Sequence, residues 1–73
     1  MTLQEFVVRV AEAQCANPHW RHGQAVSNVF AVTHSPYFRA LWGSKQDPYY
    51  DDALALPAIL QAVARGVLRP EEL

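Results

Sequence analysis

The stretch Thr2-Leu3-Gln4-Glu5-Phe6-Val7-Val8-Arg9-Val10-Ala11-Glu12-Ala13-Gln14 decides the fold class. Its first four residues form a capping box. The Thr2 hydroxyl can accept from the Glu5 amide while the Glu5 carboxylate reaches back to the Thr2 amide, satisfying donors that a helix start leaves open. Leu3, Phe6, Val7, Val10 and Gln14 then follow 3–4 spacing, with Gln4, Arg9 and Glu12 on the other faces, so the segment reads as a helix with one buried stripe.

Further along, cap-then-proline signals punctuate the chain. Asn17-Pro18 ends the first helix, because proline disfavours helical geometry at the residue before it, and also offers an N-cap and first position for a second. That second helix is expected to reach about His34. Its inward stripe would be His19, His22 or Gly23, Val26, Phe30 with Val29 beside it, and Thr33. Ser35-Pro36 repeats the signal before a short helix over residues 37–42, closed by a left-handed Gly43 and turning Phe38, Leu41 and Trp42 inward. A loop over about residues 44–56 should carry a helical turn opened by Asp47-Pro48. Leu56-Pro57 starts the last helix, with Ile59, Leu60, Val63 and Val67 inward and Gly66 near its end. Residues 69–73 read as one more turn. No β-alternation is sustained and no repeat occurs. The expected fold is all-α: a compact bundle of three to four short helices in a single domain over residues 1–73, with aromatic core residues Phe6, Phe30, Phe38, Trp20 and Trp42.

Composition narrows the function classes. The chain has 73 residues, 51% hydrophobic and 18% charged, which is globular but near the size at which one apolar core only just offsets chain entropy. Helix packing, a partner or self-association must supply the stability, because the single cysteine, Cys15, permits no internal disulfide. A reducing cytoplasm fits this usage. The formal net charge is -1 and the six Lys and Arg residues are scattered, so no basic stripe tracks phosphates, and nucleic acid is not the expected partner. No run approaches the roughly 20 apolar residues that cross a bilayer, and the N-terminal segment lacks the pattern of a signal peptide.

Three groups of residues could carry function. Asp47-Pro48-Tyr49-Tyr50-Asp51-Asp52 sets two aromatics among three carboxylates in a loop. One of the two adjacent tyrosines is expected to pack down and the other to project as an interface anchor, with Asp47, Asp51 and Asp52 as rim and Arg21 and Arg39 as further polar contacts; packing of both rings into the core is the competing reading. Gln24 and Asn28, spaced i, i+4, either fasten the loop through its backbone groups or hold a ligand. Cys15, His19 and His22 are a conceivable zinc or enzyme site, but the spacing of a structural zinc site is absent. A helix C-terminus also disfavours a thiolate, so Cys15 is expected to be a buried structural residue. No Gly-rich phosphate loop or catalytic motif is present, and no cofactor is expected.

The order Trp20-Arg21-x-Gly23-Gln24-x-x-x-Asn28, then Gly43-Ser44, then Asp47-Pro48-Tyr49-Tyr50-Asp51-Asp52 resembles a group of small bacterial and phage-type proteins over roughly the middle half of the chain. Trp42 departs from that pattern, standing where an isoleucine-arginine pair would lead into the glycine. No activity, cofactor or catalytic residue attaches to the group. By association, the resemblance implies a small inhibitor or modulator of a host protein. The sequence thus points to a cytoplasmic protein-binding module, acting on a host or phage factor or on a second copy of itself. A metal protein or enzyme using Cys15, His19 and His22 is the alternative, and a helix-turn-helix DNA binder the weaker one.

Overall fold

Four helices form in a computed structural model that describes residues 1–70, the first of them at its expected cap. Helix α1 spans Leu3–Ala16, α2 His22–Thr33, α3 Ser35–Leu41 and α4 Ala55–Ala64. Two 3-10 turns, Pro48–Tyr50 and Asp52–Leu54, occupy the loop between α3 and α4. The capping box is formed: Glu5 N–H donates to Thr2 Oγ1 and Thr2 N–H to Glu5 Oε1, both at 3.1 Å.

The second helix starts four residues later than a start at Pro18 would place it. Asn17 does not cap it. Instead Asn17 seals α1, donating both its backbone N–H (2.9 Å) and its side-chain Nδ2 (3.0 Å) to the Ala13 carbonyl. A turn closed by Trp20 N–H on the Asn17 carbonyl follows, and α2 begins only at His22.

Helix α2 is the hub, packed against α1, α3, α4 and both 3-10 turns. Its buried residues Ala25, Val26, Val29 and Phe30 meet Phe6 and Val10 of α1, and the Phe6 and Phe30 rings lie 4.3 Å apart. Tyr37, not Phe38 or Trp42, completes the aromatic core, edge-on to Phe30 at 4.9 Å. Its hydroxyl donates to the Ala58 carbonyl of α4 at 2.6 Å, so α3 is tied to α4 through the middle of the core. Trp42 is 58% exposed and Phe38 and Trp20 are only half-buried. Tyr37 and Leu41 share the inward face of α3, and Phe38 and Trp42, one position on, fall about 100° around the helix. Cys15 is exposed rather than buried: five residues past Val10, it has rotated off the stripe that Phe6 and Val10 define.

The far end of the chain returns to its start. Helix α4 ends with Gly66 at φ 77°, where Val67 N–H reaches back to the Ala62 carbonyl at 2.8 Å and Gly66 N–H to Val63 at 3.1 Å, a Schellman arrangement. Leu68 is then wholly buried. Leu3 N–H donates to the Arg69 carbonyl at 2.8 Å and Arg69 N–H to the Met1 carbonyl at 3.1 Å, a one-residue parallel bridge in an otherwise helical molecule. The turn expected over residues 69–73 falls partly outside the described residues.

Candidate functional site

The N-terminus of α2 lacks a local cap. Arg21 stands at the N-cap position and makes no side-chain capping bond, so the amides of the first turn need partners from elsewhere. The loop after α3 supplies one. Asp52 Oδ1 accepts from Gly23 N–H at 3.0 Å, a carboxylate at the positive end of a helix dipole, contributed from 29 positions along the chain. Around this bond, Arg21 Nη2 donates to the Tyr49 carbonyl and Gln24 Nε2 to the Tyr49 hydroxyl, each at 3.2 Å. The backbone of Pro48 lies so close to Gly23 that a Cβ there would collide with the Pro48 carbonyl oxygen.

Within the loop the carboxylates hold the turns. Asp47 Oδ1 accepts from Tyr49 N–H and Asp47 Oδ2 from Gly43 N–H, both at 3.0 Å, so one side chain caps the first 3-10 turn and closes the chain around the end of α3. Asp51 Oδ1 accepts from Ala53 N–H at 3.0 Å and caps the second turn. Pro48 is buried beneath them.

Fastening the loop settles the orientation of its two rings. Tyr49 is half-buried, its hydroxyl held by Gln24; Tyr50 is 76% exposed and stands against Tyr49 at 4.7 Å, edge to face. Trp42 meets Tyr49 from α3 at 6.3 Å and Phe38 lies 5.4 Å beyond Trp42. Four aromatic rings thus run in contact from α3 to the loop, the outermost two of α3 and the loop, Trp42 and Tyr50, largely open to solvent. The expected core position of Trp42 is not the one it takes, since the ring is 58% exposed. Its i, i+4 partner is Phe38, on the stripe beside the Tyr37 and Leu41 pair that enters the core.

The sequence candidates separate accordingly. Arg21, Gln24, Asp47, Tyr49, Asp51 and Asp52 come together in one bonded junction, and Tyr50 projects from it. Asn28 does not join them. It lines a groove of about 470 Å³ between α1 and α2 with Ala13, Asn17, Trp20, Val29 and Val32. Cys15, His19 and His22 are not gathered into a ligand set: His22 Nδ1 is 3.3 Å from Gln14 Oε1, and the His19 ring packs edge-on to Trp20. Among the described residues, no three His, Cys, Asp or Glu side chains are placed to hold a metal ion together. No helix of the described residues is long and apolar enough to cross a membrane. No family model, curated protein or solved structure matches the chain.

Proposed function

We propose that this chain is a small protein-binding module whose contact surface is built on Tyr50 and Trp42, with Tyr49 between them and the open edges of Asp47, Asp51 and Asp52 at the rim. The observation that carries this reading is the exposure of two large rings, Tyr50 at 76% on the loop and Trp42 at 58% at the end of α3, beside a loop held by the Asp47 and Asp52 bonds. Tyr and Trp offer much contact area for few rotatable bonds and dominate binding energy at interfaces. Holding them in place before a partner arrives lowers the ordering cost of association. Arg21 and Gln24 act in this scheme by positioning the loop. The resemblance to small bacterial and phage-type proteins supports a cytoplasmic modulator of a host protein as the biological role.

A photo-crosslinking residue placed next to Tyr50 should capture a discrete stoichiometric partner from the native cells. With that partner purified, Tyr50→Ala and Trp42→Ala should each weaken binding on the order of 30-fold, as expected for anchors worth about 2 kcal/mol. The melting temperature should move by only a degree or two, because neither ring is buried. Partner affinity unchanged in both variants would sink the reading, as would unfolding of the domain by either.

A further inference from the structure

Ser27 is 1% exposed in the middle of α2, and its hydroxyl has no hydrogen-bond partner. Among the described residues, it is the one buried side-chain polar atom left in that state. An unpaired buried hydroxyl carries its full desolvation cost, and that cost disappears once water reaches it. The position of Ser27 says what has to move. It lies four residues past Gly23 and three past Gln24, on the side of α2 that those two turn to the loop, where Gly23 N–H meets Asp52 and Gln24 Nε2 meets the Tyr49 hydroxyl. The loop, with Pro48 fully buried, covers that side.

We infer that residues 44–53 exchange between the docked position and a lifted one in which Ser27 is hydrated, while the four helices stay folded. The segment can leave as a body. Its two 3-10 turns are held by Asp47 and Asp51, which accept from Gly43, Tyr49 and Ala53 amides, so these bonds do not depend on α2. A separate set ties the segment to α2: Arg21 on the Tyr49 carbonyl, Gln24 on the Tyr49 hydroxyl and Asp52 on Gly23 N–H. All three lie in exposed or half-buried surroundings, where water can replace them. At the start of the segment stands Gly43, with φ 71° and open space around it, the kind of residue that absorbs a hinge rotation. Lifting carries Tyr49 and Tyr50 away from Trp42, which stays at the end of α3, so docking assembles the row of rings. That consequence rests on the contact surface proposed above; the exchange itself does not.

Thiol labelling across a urea series tests the inference, in a Cys15→Ser background that removes the exposed native thiol. Ser27→Cys, a near-isosteric change, should label through lifting, at a rate that barely depends on urea at low concentration because lifting exposes little surface. Ala25→Cys, on the same helix at 0% exposure, should label only through global unfolding, at a rate that climbs with the full urea slope. Amide exchange at Gly23 gives a second measurement. Breaking the Asp52 bond alone leaves Ser27 dry, whereas lifting hydrates it, so Ser27→Ala should slow Gly23 exchange on the order of 10-fold if the segment lifts. Equal labelling rates and urea slopes for Ser27→Cys and Ala25→Cys overturn the inference. So does Gly23 exchange that Ser27→Ala leaves unchanged. Both readouts use the chain without a partner, so failure of the exchange and failure of the contact surface are told apart.

Discussion

Gly23 has no room for a side chain, and that single fact locates the loop. The usual exchange of glycine for alanine inside a helix gains about 1 kcal/mol of propensity. Here the added methyl would meet the Pro48 carbonyl, with Asp52 Oδ1 at 3.0 Å and Asp52 Cα at 3.1 Å, all three contacts belonging to a loop fastened at several points. Backbone cannot yield there without lifting the Asp52, Arg21 and Gln24 bonds together. Gly23→Ala is therefore expected to destabilise by about 1–3 kcal/mol, the range for overpacking a close contact, despite its better propensity. Asp52→Ala, which removes only the cap on Gly23 N–H, should cost about 1 kcal/mol, and Asp52→Asn a fraction of that because its amide oxygen can still accept. Since both Gly23→Ala and Asp52→Ala undo the same docking, the double variant should cost less than the sum. Urea unfolding of the three single variants and the double variant measures all of this; a neutral or stabilising Gly23→Ala would show that the loop is not seated on α2.

Titration acts at the junctions between elements. His34 links α2 to α3, and burial holds its imidazole below the ordinary value of 6.5. As pH falls through 6.5 the unfolded chain takes up the proton more readily than the folded one, so this contribution is complete above that value and is lost on acidification. Further into acid, Glu5 adds to the loss in the same direction: its carboxylate lies below the usual 4.5, held there mainly by the Thr2 amide and hydroxyl. Tyr37 gives the opposite arm. Burial raises its phenol above 10.0, so the unfolded chain ionises first and stability falls as pH rises through that value toward the folded one. The expected profile is a plateau between about 6.5 and 10, its acid shoulder flattened by His34→Gln and its alkaline shoulder by Tyr37→Phe. Denaturant midpoints across pH give the curve, and an acid shoulder unchanged in His34→Gln would refute the assignment. The elements themselves were legible wherever the determinants are neighbours in sequence: the Thr2 and Glu5 capping box, Gly43 after α3, Asp47-Pro48 at the first 3-10 turn. They were not legible where the determinant is remote. The start of α2 depends on Asp52, far along the chain, so Asn17-Pro18 looked like a cap it does not provide. Which tyrosine stands free likewise hangs on the Gln24 bond, and the two stripes of α3 have the same period, so Trp42 could be assigned inward as easily as Tyr37.

At the scale of the whole molecule, the question is what lets so short a chain keep a core without staples. Stability of about 0.05–0.15 kcal/mol per residue allows on the order of 4–11 kcal/mol in total. Much of it rests on closing the open end of the bundle. Leu68 is wholly buried, and the backbone on its far side is bound through Arg69 to Met1 and Leu3, so the last described turn plugs the space between α1 and α4. Nothing in the periodicity of α4 announces this, because Leu68 lies beyond Gly66, where the helix has already turned back. Replacing a fully buried leucine by alanine costs about 2–5 kcal/mol, the higher values applying where the site cannot collapse. Leu68 joins α1 to the end of α4 across a turn fixed by the Schellman bonds and the Arg69 bridge, which leaves little freedom to collapse. Leu68→Ala should thus forfeit a third or more of the stability, lowering the urea midpoint with the slope unchanged if the folded state stays intact. Exposed Val32, at 83%, is the control on a neighbouring helix, and Val32→Ala should move the midpoint hardly at all. A Leu68→Ala cost under about 1 kcal/mol would mean that the returning segment is an ornament and that α1, α2, α3 and α4 hold the fold by themselves.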